Sequence, residues 1–124
     1  MTIENAYRAR AALNKISHSA MPAKTAYKIS KLSNFLKDDA DFYTERLSQI
    51  IEQYGEKDEN GEPVISGNGY KIQEDKRDEC AAAIKELSGI EATTPDTKIY
   101  LSELDGVELS PDDIAAIYAF IEED

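Results

Sequence analysis

The most chemically suggestive stretch of this sequence is an acidic segment dotted with glycine, YGEKDENGEPV, over residues 54–64. Its carboxylate and amide oxygens are the kind of ligand that calcium prefers. A loop of the EF-hand type that starts at Asp58, however, puts Pro63 where the template needs glycine and Gly69 where it needs a glutamate. The pattern therefore favours a β-hairpin over residues 60–73, and a metal-binding loop stays the less favoured alternative.

Turn-forming residues support the hairpin. Asn60-Gly61 is a turn dipeptide, and the segments 63–66 and 70–73 are short candidate strands. Between them, Gly67-Asn68-Gly69 supplies residues that tolerate a positive φ. Gly55 stands where a preceding helix would end in a left-handed cap. In this interpretation the acidic side chains form a solvated face and bind no metal.

Nucleophilic chemistry has little support in the sequence. The only histidine, His18, lies in a basic turn, and the only cysteine, Cys80, lies in a predicted helix, so neither belongs to a nucleophile and base pair. We expect His18 at the surface or at a helix cap, and Cys80 in the core. An enzyme that uses clustered carboxylates with a divalent metal is the weakest hypothesis, and we predict no catalytic residue, no cofactor and no metal site. The clustered carboxylates are Asp38-Asp39 with Asp41, Asp112-Asp113 and Glu122-Glu123-Asp124.

Composition indicates one soluble globular domain over residues 1–124, since 41% of the residues are hydrophobic and 31% are charged. A single cysteine excludes an internal disulfide and a multi-cysteine metal site. No apolar run approaches the roughly 18 residues of a membrane span, and the first ten residues lack the apolar core of a signal peptide. We therefore expect a cytoplasmic protein without a membrane partner.

The net charge of −11 is unevenly distributed. Residues 5–37 contain seven basic and no acidic residues, whereas residues 55–124 contain six basic and nineteen acidic ones. The two regions can neutralise each other within one molecule, let copies of the chain associate, or steer an encounter with a charged partner. The candidate partner-binding residues are the acidic Asp112, Asp113, Glu122 and Glu123 and the basic Arg8, Lys24, Lys28 and Lys31.

Direct binding of nucleic acid is disfavoured by the charge of the whole molecule. Lys24, Lys28 and Lys31 recur at helical spacing, but the net charge repels a polyanion and no aromatic residues interleave with the basic ones. The acidic region suggests the reverse role, in which surface carboxylates take the place of phosphates and block a nucleic-acid-binding enzyme.

Hydrophobic periodicity predicts two helices in the first half of the chain. Thr2 is a candidate N-cap for a helix that ends near His18, with a buried stripe of Ile3, Ala6, Ala9, Leu13 and Ile16. After a break at residues 19–22, a second helix is predicted over 22–54 with an average apolar spacing of about 3.6 residues. Its stripe is Ile29, Leu32, Leu36, Ala40, Tyr43, Leu47, Ile50 and Tyr54. Phe35, Phe42 and Ile51 widen that stripe, which predicts two neighbours for this long helix.

The second half of the chain predicts two further helices with a strand pair between them. Residues 74–88 carry Cys80, Ala83, Ile84 and Leu87 on one face. Segments 90–93 and 97–101 are candidate strands on either side of a turn. Ser110 and Pro111 mark the start of a fourth helix, predicted over 111–122, with a buried face of Ile114, Ile117, Tyr118 and Ile121. The predicted fold class is α+β and predominantly α-helical.

Three segments resemble a family of small bacteriophage and prophage proteins of Gram-positive bacteria, defined as a domain of unknown function. They are YGEKDENGEPV at residues 54–64, ELSGIEA at 86–92 and LSELDGVELSPDDIAAIYAFIEED at 101–124. The resemblance follows the order of most of the chain, and the last segment is its most specific part. It implies a phage origin and carries no known catalytic or ligand-binding residues.

Together these features predict a non-catalytic bacteriophage protein that acts by protein contacts, as a virion-assembly or tail-associated accessory. It would be located in the host bacterial cytoplasm or associated with the virion. Its partner would be a phage structural protein or a host enzyme, and homo-oligomers are also compatible with the charge pattern. The alternative is an inhibitor of a bacterial defence or nucleic-acid-processing enzyme that binds through the acidic surface.

Overall fold

A computed structural model describes residues 1–67 and 69–124 and confirms a mainly helical α+β fold, with 61% of the chain helical. In these residues the α-helices are α1 (Ile3–Ile16), α2 (Ala23–Tyr54), α3 (Arg77–Ser88) and α4 (Pro111–Ile117). The strands are β1 (Ile65–Ser66), β2 (Gly69–Tyr70), β3 (Ile99–Tyr100) and β4 (Ile121–Glu122). Short 3₁₀ turns cover Glu74–Lys76, Leu101–Leu104 and Tyr118–Phe120.

Helices α1 and α2 pack antiparallel and form the centre of the fold. All five residues of the predicted α1 stripe are buried. Polar contacts fix the register of the two helices: the Ser33 hydroxyl donates to the Asn14 side chain at 2.7 Å, and Arg10 Nε donates to the Ser33 carbonyl at 3.3 Å. Near the start of α1, the rings of Tyr7 and Tyr43 stack with centroids 5.1 Å apart. With 32 residues and a rise of about 1.5 Å per residue, α2 is ~48 Å long and extends well past α1.

The first hydrophobic cluster joins this helix pair to the last third of the chain. Four of its members come from that last third, and Ile99, Ile117 and Phe120 are completely buried while Leu104 is 6% exposed. They pack with α1 and with the first half of α2, whose contributions are Ala6, Ala9, Ala12, Leu13, Ile16, Ile29, Leu32 and Leu36.

A second hydrophobic cluster occupies the far half of α2. Its buried members are Ile3, Tyr43, Ile50, Cys80 and Leu87, and half-buried Leu47, Tyr54, Ile72, Ala83 and Ile84 pack against them. Cys80, Ala83, Ile84 and Leu87 therefore face α2, as the periodicity of α3 predicts.

The segment after α2 folds into nested turns. The predicted hairpin is confirmed as an antiparallel pair, with Ile65 opposite Tyr70 and Ser66 opposite Gly69, but each strand is only two residues long. Gly67 has a positive φ of 60°, and Asn68 lies outside the described residues. An additional turn follows residues 55–57. Isolated bridges join Gly55 to Ile72 and Lys57 to Pro63, so the chain reverses direction between residues 57 and 63.

The left-handed cap predicted at Gly55 is wrong. Gly55 has an extended backbone with φ −69° and ψ 146°, and its N–H donates to the Ile51 carbonyl at 2.7 Å. A Cβ atom at this position would lie 2.5 Å from the same carbonyl oxygen. Close approach of the backbone, and not a positive φ, therefore accounts for glycine here.

The predicted strand pairing between residues 90–93 and 97–101 is also wrong. Strand β3 pairs in parallel with β4, so that Ile99 lies opposite Ile121. The segment 90–93 instead meets the start of the chain, where the Ile3 N–H donates to the Ile90 carbonyl at 2.9 Å and the Ala92 N–H donates to Met1 at 2.8 Å. Both segments do form extended backbone pairs, but with partners distant in sequence.

The fourth helix is shorter than predicted. Its start is confirmed, since Ser110 and Asp113 form a reciprocal capping box with Pro111 at the first helical position. The α-helix ends at Ile117, however, and the chain tightens into a 3₁₀ turn before β4. Among the residues predicted to be buried, Tyr118 is 73% exposed and Ile114 is 39% exposed. Phe120 fills the core in their place.

Candidate functional site

The most exposed apolar surface of α2 lies on the side away from both hydrophobic clusters. Tyr27 is 72% exposed, Phe35 49% and Phe42 51%. The prediction of two neighbours for α2 is confirmed, since it packs against both α1 and α3. Neither neighbour buries Phe35 or Phe42, however, and about half of each side chain is exposed. Ile51 is half-buried. At about 100° per residue, the three aromatic residues lie on the half of α2 opposite the buried stripe.

Charged residues flank these aromatic rings. Lys24 precedes Tyr27, and Lys31 lies between Tyr27 and Phe35. Asp38 lies between Phe35 and Phe42, and Glu45 follows Phe42. All four charged residues are exposed and lie on the same side of the helix. None of the four forms an ion pair with the residues that the structure describes. We call the surface formed by Lys24, Tyr27, Lys31, Asn34, Phe35, Asp38, Phe42 and Glu45 the outer stripe of α2.

Lys28, in contrast, is engaged inside the molecule. Its Nζ donates to Glu103 Oε1 at 2.6 Å and lies 5.0 Å from the centroid of the Tyr100 ring. Both partners of this ion pair are largely shielded, with side chains 21% and 18% exposed. The hydrogen bond from Lys28, reinforced by the Tyr100 backbone N–H, lowers the pKa of Glu103 below its usual value. Arg8 pairs on the surface with Glu4 at 3.3 Å.

Of the four acidic candidates, Asp113 has a structural role, and the other three form no ion pair with the residues that the structure describes. Asp113 caps α4: the backbone N–H of Ser110 donates to its carboxylate at 3.1 Å, and Lys15 donates at 3.0 Å. These two bonds, the first more than the second, lower the pKa of Asp113. Asp112, Glu122 and Glu123 are exposed.

The charged regions therefore touch each other within one molecule. Lys15 pairs with Asp113, and Lys28 pairs with Glu103, so two basic side chains of the first region neutralise two acidic side chains of the last third. The end of the chain is tied down as well, because the Ser102 backbone N–H and hydroxyl both donate to the Asp124 carboxylate. These bonds lower the pKa of Asp124. The candidate residues split between internal ion pairs and an exposed remainder.

A shallow groove borders the outer stripe at its far end. It has a volume of about 340 Å³ and lies between α2 and α3. Phe42 and Ile90, which is 42% exposed, form its apolar rim. The sides of Ile50 and Leu87 form part of its lining.

The acidic loop after α2 is organised by its own hydrogen bonds. One oxygen of Asp58 accepts from the backbone N–H groups of Asn60 and Glu62, at 2.9 and 3.0 Å. Across residues 1–67 and 69–124, no group of three or more histidine, cysteine or carboxylate side chains is arranged to hold a metal ion. Cys80 is buried, and burial raises the pKa of its thiol. His18 is exposed in the turn after α1.

Comparisons with known proteins give no match for this chain. Neither a protein-family model, nor a curated protein, nor a solved structure matches the chain significantly. The resemblance to small phage proteins therefore stays a prediction. No helix in the described part of the chain is long and apolar enough to cross a membrane.

Proposed function

We propose that the chain is a non-catalytic bacteriophage protein that acts by contacts with other protein chains, as a virion-assembly or tail-associated accessory. The outer stripe of α2 is the observation that carries this proposal. The assignment to phage comes from the resemblance of residues 54–64, 86–92 and 101–124. The protein would work in the host cytoplasm or as part of the virion.

The aromatic residues of the outer stripe are of the type that protein interfaces use. Single exposed apolar residues are ordinary on protein surfaces, whereas several large exposed rings on one side of one helix favour an interaction site. Tyr27, Phe35 and Phe42 lie along one side of one helix, and aromatic residues are enriched at the centres of protein interfaces. A rigid helix loses little conformational freedom when it binds, which favours such a surface over a mobile loop.

Capture from infected cells tests the proposal with a matched pair of baits. In a bacterial host that carries the phage, the wild-type chain should retain a phage structural protein. Phe42→Ser should lose it, because the substitution removes an exposed ring from the outer stripe. Ile65→Ser is the control, since Ile65 is 69% exposed at a distant site and its bait should behave as the wild type. Equal capture by all three baits would contradict this use of the stripe.

The acidic last third of the chain favours a second candidate function, inhibition of a bacterial defence or nucleic-acid-processing enzyme. Residues 99–124 contain eight acidic and no basic residues. Only part of this charge is neutralised, because Asp112, Glu122 and Glu123 are exposed and form no ion pair with the described residues. Carboxylates on such a surface can occupy positions that an enzyme has evolved for phosphates.

Charge neutralisation separates the second candidate from the first. Binding to a captured host enzyme should slow with added salt, and the salt dependence should weaken when the three free carboxylates become amides (Asp112→Asn, Glu122→Gln and Glu123→Gln). Asp113 stays unchanged because it caps α4. The control neutralises three exposed acids elsewhere, Glu52→Gln, Glu59→Gln and Glu62→Gln. Equal effects of both sets would mean that only net charge matters and that no acidic site exists.

A further inference from the structure

The charges and aromatic rings of the outer stripe are ordered along the helix. The first half carries Lys24, Tyr27 and Lys31, and the second half carries Asp38, Phe42 and Glu45. The stripe is therefore basic at one end and acidic at the other, with an aromatic ring between each pair of like charges. It covers 22 residues, or about 32 Å of helix.

This order is self-complementary for antiparallel helices. If a second α2 runs in the opposite direction about a point between residues 34 and 35, Lys24 lies opposite Glu45 of the other copy. In the same register Tyr27 lies opposite Phe42, and Lys31 lies opposite Asp38. Since a two-fold axis repeats every contact, each of these pairs forms twice. Opposite charges thus frame aromatic pairs along the whole contact.

The registers shifted by one heptad are less complementary, although each keeps some pairs of opposite charge, such as Lys24 with Asp38 or Lys31 with Glu45. A shift of one heptad in one direction puts Lys31 against its own copy, and a shift in the other direction puts Asp38 against its own copy. Parallel packing places every charge against itself. Like charges that face each other across an interface cost free energy, so the charge pattern favours one register and one direction.

The position of the stripe leaves room for a second molecule. At about 100° per residue, the middle of the stripe lies about 150° around α2 from the buried residues, which pack against α1 and α3. The four charges are also free of the ion pairs that engage Lys28 elsewhere on the helix.

We propose that the outer stripe is a homodimer interface, in which two copies of α2 pack antiparallel with Lys24, Tyr27 and Lys31 of each against Glu45, Phe42 and Asp38 of the other. The inference rests on the proposed function and assigns the same surface to a second copy of the chain, so that a phage structural protein would bind the assembled dimer and not the stripe itself. A two-fold contact of this kind closes on itself and gives a dimer, not a filament.

Sedimentation equilibrium of the purified chain tests the dimer. The wild type should have twice the 13.8 kDa mass of one chain. Lys31→Glu creates two like-charge contacts with Asp38, and Phe42→Ser removes two aromatic contacts. Each should weaken dimerisation by at least about tenfold. Lys37→Glu is the control, since it makes the same charge change on the same helix outside the stripe. It also breaks an ion pair with Asp41, but both of those side chains are more than half exposed.

Charge exchange tests the register. Asp38→Lys alone should weaken the dimer as Lys31→Glu does, whereas the double variant Lys31→Glu with Asp38→Lys should restore it. An equimolar mixture of the two single variants should form a heterodimer, because their charges are then opposite at every contact. Far-UV circular dichroism of each variant checks that the helices remain folded.

A wild-type mass of one chain would overturn the proposal. So would a dimer whose dissociation constant is unchanged by Lys31→Glu and by Phe42→Ser. A double variant that fails to recover would overturn the register. The capture experiment keeps the proposed function separate: a monomeric wild type that still loses its captured phage protein on Phe42→Ser would refute the homodimer alone. A dimer that captures no phage protein would refute the accessory role alone.

Discussion

Replacing Phe120 with alanine should destabilise the protein far more than replacing Tyr118. Phe120 is completely buried in the first hydrophobic cluster, whereas Tyr118 is 73% exposed in the same 3₁₀ turn. Truncation of a fully buried phenylalanine removes its transfer free energy and leaves a cavity, which together cost about 3–5 kcal/mol. The exposed tyrosine has little packing to lose, so Tyr118→Ala should cost about 0.5 kcal/mol or less. If α4 continued to residue 122 as an amphipathic helix, the order would be reversed.

Urea unfolding followed by far-UV circular dichroism measures both changes as free energies of unfolding. A loss of about 3–5 kcal/mol is a large part of the roughly 5–15 kcal/mol that stabilises a typical domain. A second, milder substitution is therefore needed in case Phe120→Ala does not fold. Phe120→Leu keeps most of the volume and should cost about 1.5 kcal/mol or less, which leaves a folded protein to measure. Equal losses for Phe120→Ala and Tyr118→Ala, or a larger loss for Tyr118→Ala, would refute the packing of this turn.

Three further perturbations test local features. Gly55→Ala should lower the free energy of unfolding by about 1–3 kcal/mol, because the added Cβ would lie 2.5 Å from a backbone carbonyl oxygen. Gly89→Ala is the milder control in the same urea assay, since its Cβ would lie 3.4 Å from the nearest backbone carbonyl oxygen. Lys28→Met should weaken the fall in the free energy of unfolding at acidic pH. In the wild type, the lowered pKa of Glu103 stabilises the fold at pH values above the unfolded-state pKa of ~4.3. That contribution is lost as the pH falls through the pKa of Glu103 in the folded state. An unchanged fall at acidic pH in urea titrations would contradict this ion pair. Millimolar calcium or magnesium should leave the melting temperature unaltered, since the Asp58 carboxylate already binds backbone N–H groups, and a saturable rise would restore the metal-loop hypothesis.

Periodicity was sufficient to predict the two central helices. The α1 stripe is buried throughout, and Ile29, Leu32 and Leu36 of α2 are at most 1% exposed. Both helices are long and amphipathic, and α1 also starts at the predicted cap, where Thr2 and Asn5 form a reciprocal pair of bonds. Local signals of this kind depend on residues three or four apart, which the sequence displays directly.

Pairing between distant segments could not be predicted. The 90–93 segment has the composition of a strand, but its partner is the chain before Ile3, not the next strand. Likewise β3 meets β4 across more than twenty residues. Since β propensity says that a segment is extended and not what it pairs with, tertiary packing decided both partners. The early end of α4 has the same origin, because residues 121–122 pair with β3 as an extended strand and cannot continue the helix.

The candidate site was predicted in part. The sequence showed an excess of basic residues in one region and acidic residues in the other, but it could not show that Lys28 and Asp113 are committed to internal ion pairs while Lys24 and Lys31 are free. Phe35 and Phe42 were interpreted as widening the buried stripe, although about half of each side chain is exposed. Their seven-residue spacing is the signal that, together with the charges around them, could have indicated an external partner.

The two hydrophobic clusters are joined mainly by α2, with Ala40 between them, and this arrangement has a consequence for amide hydrogen exchange. The cluster around α3 is built from fewer completely buried side chains than the cluster around Phe120, and its neighbouring turns are short and exposed. Segments with few buried contacts open locally at a lower free-energy cost than global unfolding. Amides of α3 and of the turns at residues 55–67 and 69–73 should therefore exchange by a sub-global opening, while those of α1 and the first half of α2 should exchange only on complete unfolding. Along one continuous helix, the protection factors would then change near Ala40, so that α2 belongs to two cooperative units at once.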